Sequence, residues 1–270
     1  MNNMGTRMKR FLKHIITYNP LDYFIPRLRA FYRKIGILDY LDQQTYWVLW
    51  KLVRILKNKF FPGKVTGVAN VPMTGAGIFI ANHSHLFDPF FSASQVHREV
   101  YWLSKIENFY TPFFRPILQT TGCIPVRRGQ SDKNAIRLIR KKLERGKMVG
   151  IFPEGTRTRT GILGRFHTGA ARMCLEYGIP FVPCVVVNSY KCKIGDKIDV
   201  HIGKPRYPPK GIEVNYENVK WFTELMRQDI VALLKKYDVN KTIQIPKIME
   251  EPAIIPLKYR ELYAAQQIHK

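Results

Sequence analysis

Between residues 64 and 237 the chain alternates short apolar segments with amphipathic ones, and this alternation limits the possible folds more than any other feature. The apolar segments are rich in Val, Ile and aromatic residues, which is typical of buried strands. They are 77–82, 99–105, 148–152, 180–187 and 197–203, and the predicted helices are a segment that begins at 88, then 132–145, 168–177 and 217–237. Strands that alternate with helices form a parallel sheet with helices on both faces. We therefore expect an α/β fold with a mainly parallel sheet sandwiched by helices.

The first 61 residues differ from this region because they mix basic and aromatic side chains at helical spacing in three segments. These segments are 7–18, 27–37 and 43–61. Helices of this composition lie in the headgroup region of a membrane, with Phe11, Trp47 and Trp50 as candidates for the apolar contact. Ordinary helices packed on the main domain have the same composition. We expect an N-terminal extension of amphipathic, membrane-docking helices (1–61), an α/β domain (62–237) and a peripheral C-terminal tail (238–270).

The formal net charge of +24 indicates a polyanionic partner: a nucleic acid, an anionic membrane surface or a phosphorylated substrate. The sequence contains no zinc finger, RNP-type aromatic block or Gly-rich KH loop, so we expect no specific nucleic-acid partner. We see no signal peptide, and no segment has the ~20 apolar residues that span a bilayer. The four cysteines form no CxxC pair, which favours free thiols in a reducing compartment. We therefore expect a peripheral membrane protein on the cytoplasmic face.

The segment IFIANHSHLFDPF (78–90) ends a predicted strand and then places His83, His85 and Asp88 close together. A metal site is disfavoured because the remaining histidines form no second cluster with ligand spacing. Asp88 before a proline also suits the N-cap of a helix, with both histidines solvated. The remaining interpretation is a His–Asp pair without an enzyme nucleophile, since the chain has no GxSxG motif. In that case His83 is a general base, Asp88 fixes its tautomer, and the substrate supplies the hydroxyl.

Three further segments favour the His–Asp interpretation. They are GCIPVRR (122–128), FPEGTR (152–157) and IPFVP (179–183). Together with NHSHLFD (82–88), they resemble the four sequence blocks of the glycerolipid (lysophosphatidic acid) acyltransferase family, in the order that the family has. The resemblance covers roughly residues 64–205.

The resemblance implies an acyltransferase that moves a fatty acyl group from acyl-CoA or acyl-carrier protein to the sn-2 hydroxyl of 1-acyl-glycerol-3-phosphate. The product is then phosphatidic acid for phospholipid biosynthesis. It implies His83 as the catalytic base and Asp88 as its partner. The substrate-binding residues that it implies are Arg128, Glu154, Gly155, Thr156 and Arg157. We expect no metal and no cofactor besides the thioester co-substrate, and the partners are the thioester donor, the lysophospholipid acceptor and an anionic membrane surface.

Two positions depart from the family pattern. His167 stands where a lysine often follows the third block, and it is either a weaker, pH-dependent contributor or a surface residue. Arg127 stands where many lysophosphatidate enzymes carry an acid, and the Arg-Arg pair resembles glycerol-3-phosphate acyltransferases. Glycerol-3-phosphate or another lysophospholipid therefore stays open as the acceptor. A thioesterase, in which water accepts the acyl group, stays open as the alternative reaction.

Overall fold

The computed structural model describes residues 20–111, 114–129, 132–251, 256 and 259. Its helices are α1 (Pro20–Lys34), α2 (Leu38–Phe60), α3 (Asp88–Ala93), α4 (Phe114–Thr120), α5 (Lys133–Glu144), α6 (Gly169–Tyr177) and α7 (Tyr216–Tyr237). Its strands are β1 (Val65–Thr66), β2 (Gly77–Ala81), β3 (Val100–Lys105), β4 (Ile124–Val126), β5 (Met148–Ile151), β6 (Phe181–Val187) and β7 (Asp199–Ile202). Short 3-10 helices cover Val68–Asn70, Ile106–Tyr110 and Lys247–Met249.

The strands of the described region form one sheet in the order β1-β7-β6-β2-β5-β3-β4. Strands β2 to β6 run parallel to one another, whereas β7 pairs antiparallel with β6, and β1 pairs parallel with β7. The direction reverses at β7 because a loop joins it to β6, whereas a helical crossover returns the chain parallel. The mainly parallel α/β sheet predicted from the sequence is confirmed.

The two faces of β2 contribute to separate halves of the core, since successive residues of a strand point to opposite sides. Ile78 and Ile80 join the larger apolar cluster, which includes side chains of α5, α6 and α7. Phe79 and Ala81 join the smaller cluster on the other face of the sheet. All four side chains are fully buried. The faces of the sheet are thus occupied by core, and the ends of its strands are the place for a binding site.

The helix α2 packs on the α/β domain through aromatic side chains. Tyr46 is buried, and its hydroxyl oxygen accepts a hydrogen bond from the Val100 backbone N–H (3.1 Å). The Trp50 indole N–H lies 3.1 and 2.9 Å from two carbonyl oxygens at the end of α3 and just after it. Trp50, a candidate for membrane contact in the sequence, therefore contacts the protein instead. The predicted helix 7–18, with Phe11, lies outside the described residues.

The opposite side of α2 is apolar and exposed. Val48, Leu52 and Ile55 are 66%, 49% and 55% exposed, and their spacing of four and three residues places them on one side of the helix. Trp47 is half-buried beside Trp50, with ring centroids 5.6 Å apart. Among the described helices, none has both the length and the apolar character that crossing a membrane requires.

The described part of the C-terminal segment is packed rather than peripheral, which corrects the expectation for residues 238–270. Ile243 and Met249 are buried in the larger cluster. The Asp238 carboxylate accepts hydrogen bonds from the backbone N–H groups of Thr242 (2.9 Å) and Ile243 (2.8 Å). This segment therefore forms part of the α/β domain.

Candidate active site

His83 lies at the carboxyl end of β2, the middle strand of the sheet. The preceding residue, Asn82, ends the strand because its side chain replaces a backbone partner. Its Nδ2 donates to the Val186 carbonyl oxygen (3.1 Å), and its Oδ1 accepts from the Val186 backbone N–H (2.9 Å). The chain then leaves the sheet at the edge where α/β proteins bind ligands.

His83 and Asp88 form a buried hydrogen-bonded pair. His83 Nδ1 lies 3.0 Å from Asp88 Oδ2, and the two residues are 7% and 0% exposed. Asp88 Oδ2 also accepts from the backbone N–H groups of Ser84 (2.7 Å) and His85 (2.6 Å). Since Oδ2 accepts from all three groups, Nδ1 carries the proton and Nε2 keeps its lone pair. This is the tautomer in which His83 acts as a general base.

The structure corrects the interpretation of Asp88 as the N-cap of α3. The N-cap position is Phe87, and Asp88 is the first residue of the helix. The Asp88 carboxylate turns back to the preceding loop, where it holds the His83 imidazole. His83 is buried, not solvated, whereas His85 lies outside the pair with its ring over Phe91 (centroids 6.1 Å apart).

The surroundings of His83 favour its neutral form. Burial lowers the pKa of the imidazole, and the hydrogen bond and negative charge of Asp88 partly offset this. The positive charges of Arg157 and Arg128 lower the pKa further, so both guanidinium groups act electrostatically on the base. His83 is therefore neutral at neutral pH, as a proton acceptor must be.

Two aromatic side chains close the site behind His83. Phe152 follows β5 directly and stacks on the imidazole, while Trp102 of β3 stacks on the far face of Phe152 (centroids 4.4 Å apart, planes at 20°). Gly150 makes room for the indole, because a Cβ at that position would lie 2.5 Å from the Trp102 ring. The sequence analysis did not find this stack, although Phe152 is the first residue of the FPEGTR segment.

Glu154 holds the backbone of His83 from the loop after β5. Its Oε1 accepts from the His83 N–H (2.7 Å), and its Oε2 accepts from the Gly164 N–H (2.7 Å). The Thr158 N–H donates to the His83 carbonyl oxygen (2.9 Å), so the same loop holds both sides of this residue. Glu154 is buried, and burial raises the pKa of its carboxyl group to about 7. This geometry favours a role in positioning His83 over direct contact with an anionic substrate.

The turn after Glu154 requires glycine. Gly155 has φ +70°, and a Cβ there would lie 2.9 Å from the His167 ring. The His167 backbone N–H donates to the Pro153 carbonyl oxygen (2.8 Å), and its side chain is exposed at the rim of the site. Thr156 and Arg157 are exposed beside this turn. Gly155 therefore allows the turn of this loop. The positive charge of Arg157 lowers the pKa of His83.

Arg128 and Arg157 reach the site from different loops, one after β4 and the other after β5. Burial and the positive charge of Arg157 lower the pKa of Arg128, so the charges of the two guanidinium groups interact. Neither forms an ion pair with a carboxylate within the part of the chain that the structure describes. Two unpaired guanidinium groups beside a neutral base are suited to bind a phosphate.

Together these features define an α/β protein with a buried His–Asp base at the end of its central strand and two arginines beside it. Within the described residues, no three His, Cys, Asp or Glu side chains are grouped to hold a metal ion.

Comparisons with known proteins agree with this class. The family model described as Acyltransferase matches residues 63–187. A 1-acyl-sn-glycerol-3-phosphate acyltransferase of Borreliella burgdorferi is 31% identical over 180 residues, which are 63% of this chain and 71% of that protein. The chain therefore belongs to the glycerolipid (lysophosphatidic acid) acyltransferase family, and the resemblance of its four sequence blocks is confirmed.

Two other relatives show how far the likeness extends. The chloroplastic 1-acyl-sn-glycerol-3-phosphate acyltransferase BAT2 of Brassica napus is 25% identical over 146 residues, 53% of this chain, and the match spans only 42% of that longer protein. The crystal structure of the 1-acyl-sn-glycerophosphate acyltransferase PlsC from Thermotoga maritima has a TM-score of 0.58 and 21% identity, covering 83% of this chain and 92% of that one. The latter likeness shows a common fold.

Proposed function

We propose that the protein transfers a fatty acyl group from an acyl thioester to the sn-2 hydroxyl of 1-acyl-glycerol-3-phosphate, giving phosphatidic acid for phospholipid biosynthesis. The observation that carries this proposal is the buried His83–Asp88 pair, whose Nε2 is free to accept a proton beside two arginines. An acceptor that has a hydroxyl and a phosphate matches both features. The Borreliella burgdorferi relative is named for this acceptor.

The reaction needs no protein nucleophile. His83 Nε2 takes the hydroxyl proton while the acceptor oxygen attacks the thioester carbonyl carbon and forms the new C–O bond. The tetrahedral intermediate then breaks its C–S bond, and the leaving thiolate takes the proton from the imidazolium. Asp88 stabilises the imidazolium between these two transfers and keeps the ring in one tautomer. Glu154 keeps the His83 backbone in place throughout.

Arg128 and Arg157 bind the acceptor phosphate in this proposal. A guanidinium group donates two parallel hydrogen bonds to phosphate oxygens, which fixes orientation as well as charge. Holding the phosphate fixes the distance of the hydroxyl from His83, and such positioning lowers the barrier of a reaction between two bound groups. Both oxygens of the Glu154 carboxylate accept hydrogen bonds from backbone N–H groups, so Glu154 is not one of the phosphate ligands in this proposal.

The proposed acceptor and product are lipids, so the site must reach a bilayer surface. We propose that the N-terminal helices bind the cytoplasmic face of the membrane peripherally. The exposed side of α2, with Val48, Leu52 and Ile55, supplies apolar contact. The excess of basic residues supplies attraction to anionic lipids.

The direct test is product analysis with the purified full chain. Acyl-CoA and acyl-carrier protein are each offered as donor, and lysophosphatidate, glycerol-3-phosphate or water alone as acceptor. We expect phosphatidate from lysophosphatidate, and the faster donor identifies the natural thioester. If glycerol-3-phosphate is acylated faster than lysophosphatidate, glycerol-3-phosphate is the acceptor. Release of fatty acid at the same rate with and without acceptor would identify a thioesterase instead.

A further inference from the structure

A polar groove of about 600 Å³ lies between α2 and the β1 region, and the function proposed above does not use it. The side chains that matter in its wall are Arg54, Asn58, Gln95 and His97, with Val65 and Val68 as the apolar side. None of its lining residues is acidic. None of them takes part in the hydrogen bonds that hold His83.

Arg54 and His97 face each other in this groove without an acid to balance the charge. Arg54 Nη1 lies 3.1 Å from His97 Nε2. A guanidinium group only donates, so His97 Nε2 is the acceptor of this hydrogen bond. Among the described residues, no carboxylate pairs with Arg54, and its other N–H groups have no protein acceptor. A guanidinium group that has no carboxylate partner is suited to an anionic ligand.

Trp50 holds these two groups in place. Its indole N–H is fixed by two backbone carbonyl oxygens, and its ring lies 5.1 Å from the Arg54 guanidinium carbon. The His97 ring is 5.1 Å from the same indole. Gln95 is 5% exposed, and its amide donates to the Ser94 hydroxyl (2.8 Å) with one N–H left over. Groups that are already ordered lose less entropy when a ligand binds.

We propose that this groove is a second anion site, which binds a phosphomonoester. The Arg54 fork takes two phosphate oxygens, and the amides of Asn58 and Gln95 are placed to donate to the third. The groove also has an apolar wall, formed by Val65 and Val68, which suits the acyl part of a lipid next to its headgroup. The ligand is therefore a phosphomonoester lipid headgroup or free phosphate, and the two sources are separated by experiment.

The first experiment compares two variants that each remove one positive charge from α2. Arg54→Gln changes the groove, whereas Lys51→Gln changes an exposed residue about one turn earlier, outside the lining. Binding is measured to phosphatidylcholine vesicles that contain either phosphatidate, a phosphomonoester, or phosphatidylglycerol, a phosphodiester. We expect Arg54→Gln to lose roughly tenfold more affinity for phosphatidate vesicles than Lys51→Gln. Equal losses by both variants on both kinds of vesicle overturn the site and leave only diffuse charge.

The second experiment uses the His97 imidazole resonances of the full chain. Inorganic phosphate and a short-chain, water-soluble phosphatidate are titrated into the wild-type protein, Arg54→Gln and Arg54→Lys. We expect saturable shifts in the wild type, weaker ones in Arg54→Lys and none in Arg54→Gln. Tighter binding of phosphatidate identifies a lipid headgroup, and equal binding identifies free phosphate. No shift with either compound overturns the proposal. Turnover of a water-soluble acceptor by Arg54→Gln stays at the wild-type rate, so the site is tested independently of the reaction.

Discussion

The imidazole of His83 lies parallel to the phenyl ring of Phe152, with ring centroids 3.9 Å apart and planes inclined by 12°. His83 is also held at Nδ1 by Asp88 and at its backbone N–H by Glu154. These three contacts leave the imidazole one orientation, in which Nε2 alone is free. The face of an aromatic ring also attracts a cation, so Phe152 stabilises the imidazolium that forms during proton transfer.

We predict that Phe152→Leu lowers kcat roughly two- to tenfold, because a contact between rings contributes about 0.5–1.5 kcal/mol beyond its buried area. The KM values for donor and acceptor should change little, since Phe152 lies behind the base. Phe181→Leu is the matched control: it also shortens a buried aromatic side chain, but one that packs against Phe222 in the larger cluster. Equal loss of kcat in both variants would show that Phe152→Leu acts by destabilising the protein and not through its contact with His83.

His83→Ala should lower kcat by about 10²–10⁴-fold, the usual contribution of a general base. Asp88→Asn should lower kcat to a similar or smaller extent, because an amide cannot stabilise the imidazolium. His85→Ala is the matched control, since His85 lies outside the pair. Circular dichroism establishes that each variant is folded. Wild-type turnover by folded His83→Ala protein would rule out the mechanism.

The pH dependence of kcat/KM should report the titration of His83 in the free enzyme. Burial and the nearby arginines lower its pKa, so activity should persist below the ordinary value of about 6.5 and fall only when the imidazole protonates. Arg157→Gln removes a positive charge, which should raise the pKa of His83. The acidic side of the kcat/KM profile should therefore move to higher pH. The control, Arg159→Gln, removes an exposed charge two residues further on and should leave this side of the profile in place. A profile that moves equally in both variants contradicts this assignment.

Arg128→Lys keeps the positive charge but loses the planar fork that binds two phosphate oxygens. We therefore predict a raised KM for the acceptor and an unchanged KM for the donor. Arg127→Lys makes the same change at the adjacent exposed residue and should have little effect on either constant. If the donor KM rises instead, Arg128 binds a phosphate of the thioester donor, and the assignment of the two substrates must be exchanged.

The sheet and its helices were predictable because their signals are periodic and local. The core strand β2 (Gly77–Ala81) is apolar throughout, and α5 carries its apolar residues at helical spacing. The strands β1 and β4 are two and three residues long, too short to show a period. Both were therefore missed as strands.

The candidate base and its partner were predictable because both lie in one short segment, whereas their supports come from distant parts of the chain. Glu154 reaches the His83 N–H across 71 residues of sequence. The Phe152–Trp102 stack depends on the pairing of β5 with β3, which no local pattern encodes. Trp50 was misassigned because a basic, aromatic helix has the same composition whether it faces a membrane or a protein.

A truncation of the N-terminal helices is a poor test of membrane binding, because α2 also packs on the α/β domain. Tyr46 is buried and accepts a hydrogen bond from the first residue of β3, so removing α2 exposes part of the α/β domain. A loss of vesicle binding by the truncated protein would then have two causes. Substitutions on the exposed side of α2 separate them.

The double substitution Leu52→Gln and Ile55→Gln should weaken binding to anionic vesicles by at least roughly tenfold, because burying such a side chain contributes about 1.5–3 kcal/mol. Its turnover of a water-soluble, short-chain acceptor should stay at the wild-type rate, since neither residue contacts the His83 site. The matched control replaces Val239 and Ile248, which are 84% and 72% exposed after α7. Binding of the wild-type protein should weaken with salt but persist in part, because salt screens the basic residues and not the apolar contact. If both double variants bind vesicles as the wild type does, the membrane contact lies elsewhere and α2 serves only to pack on the domain.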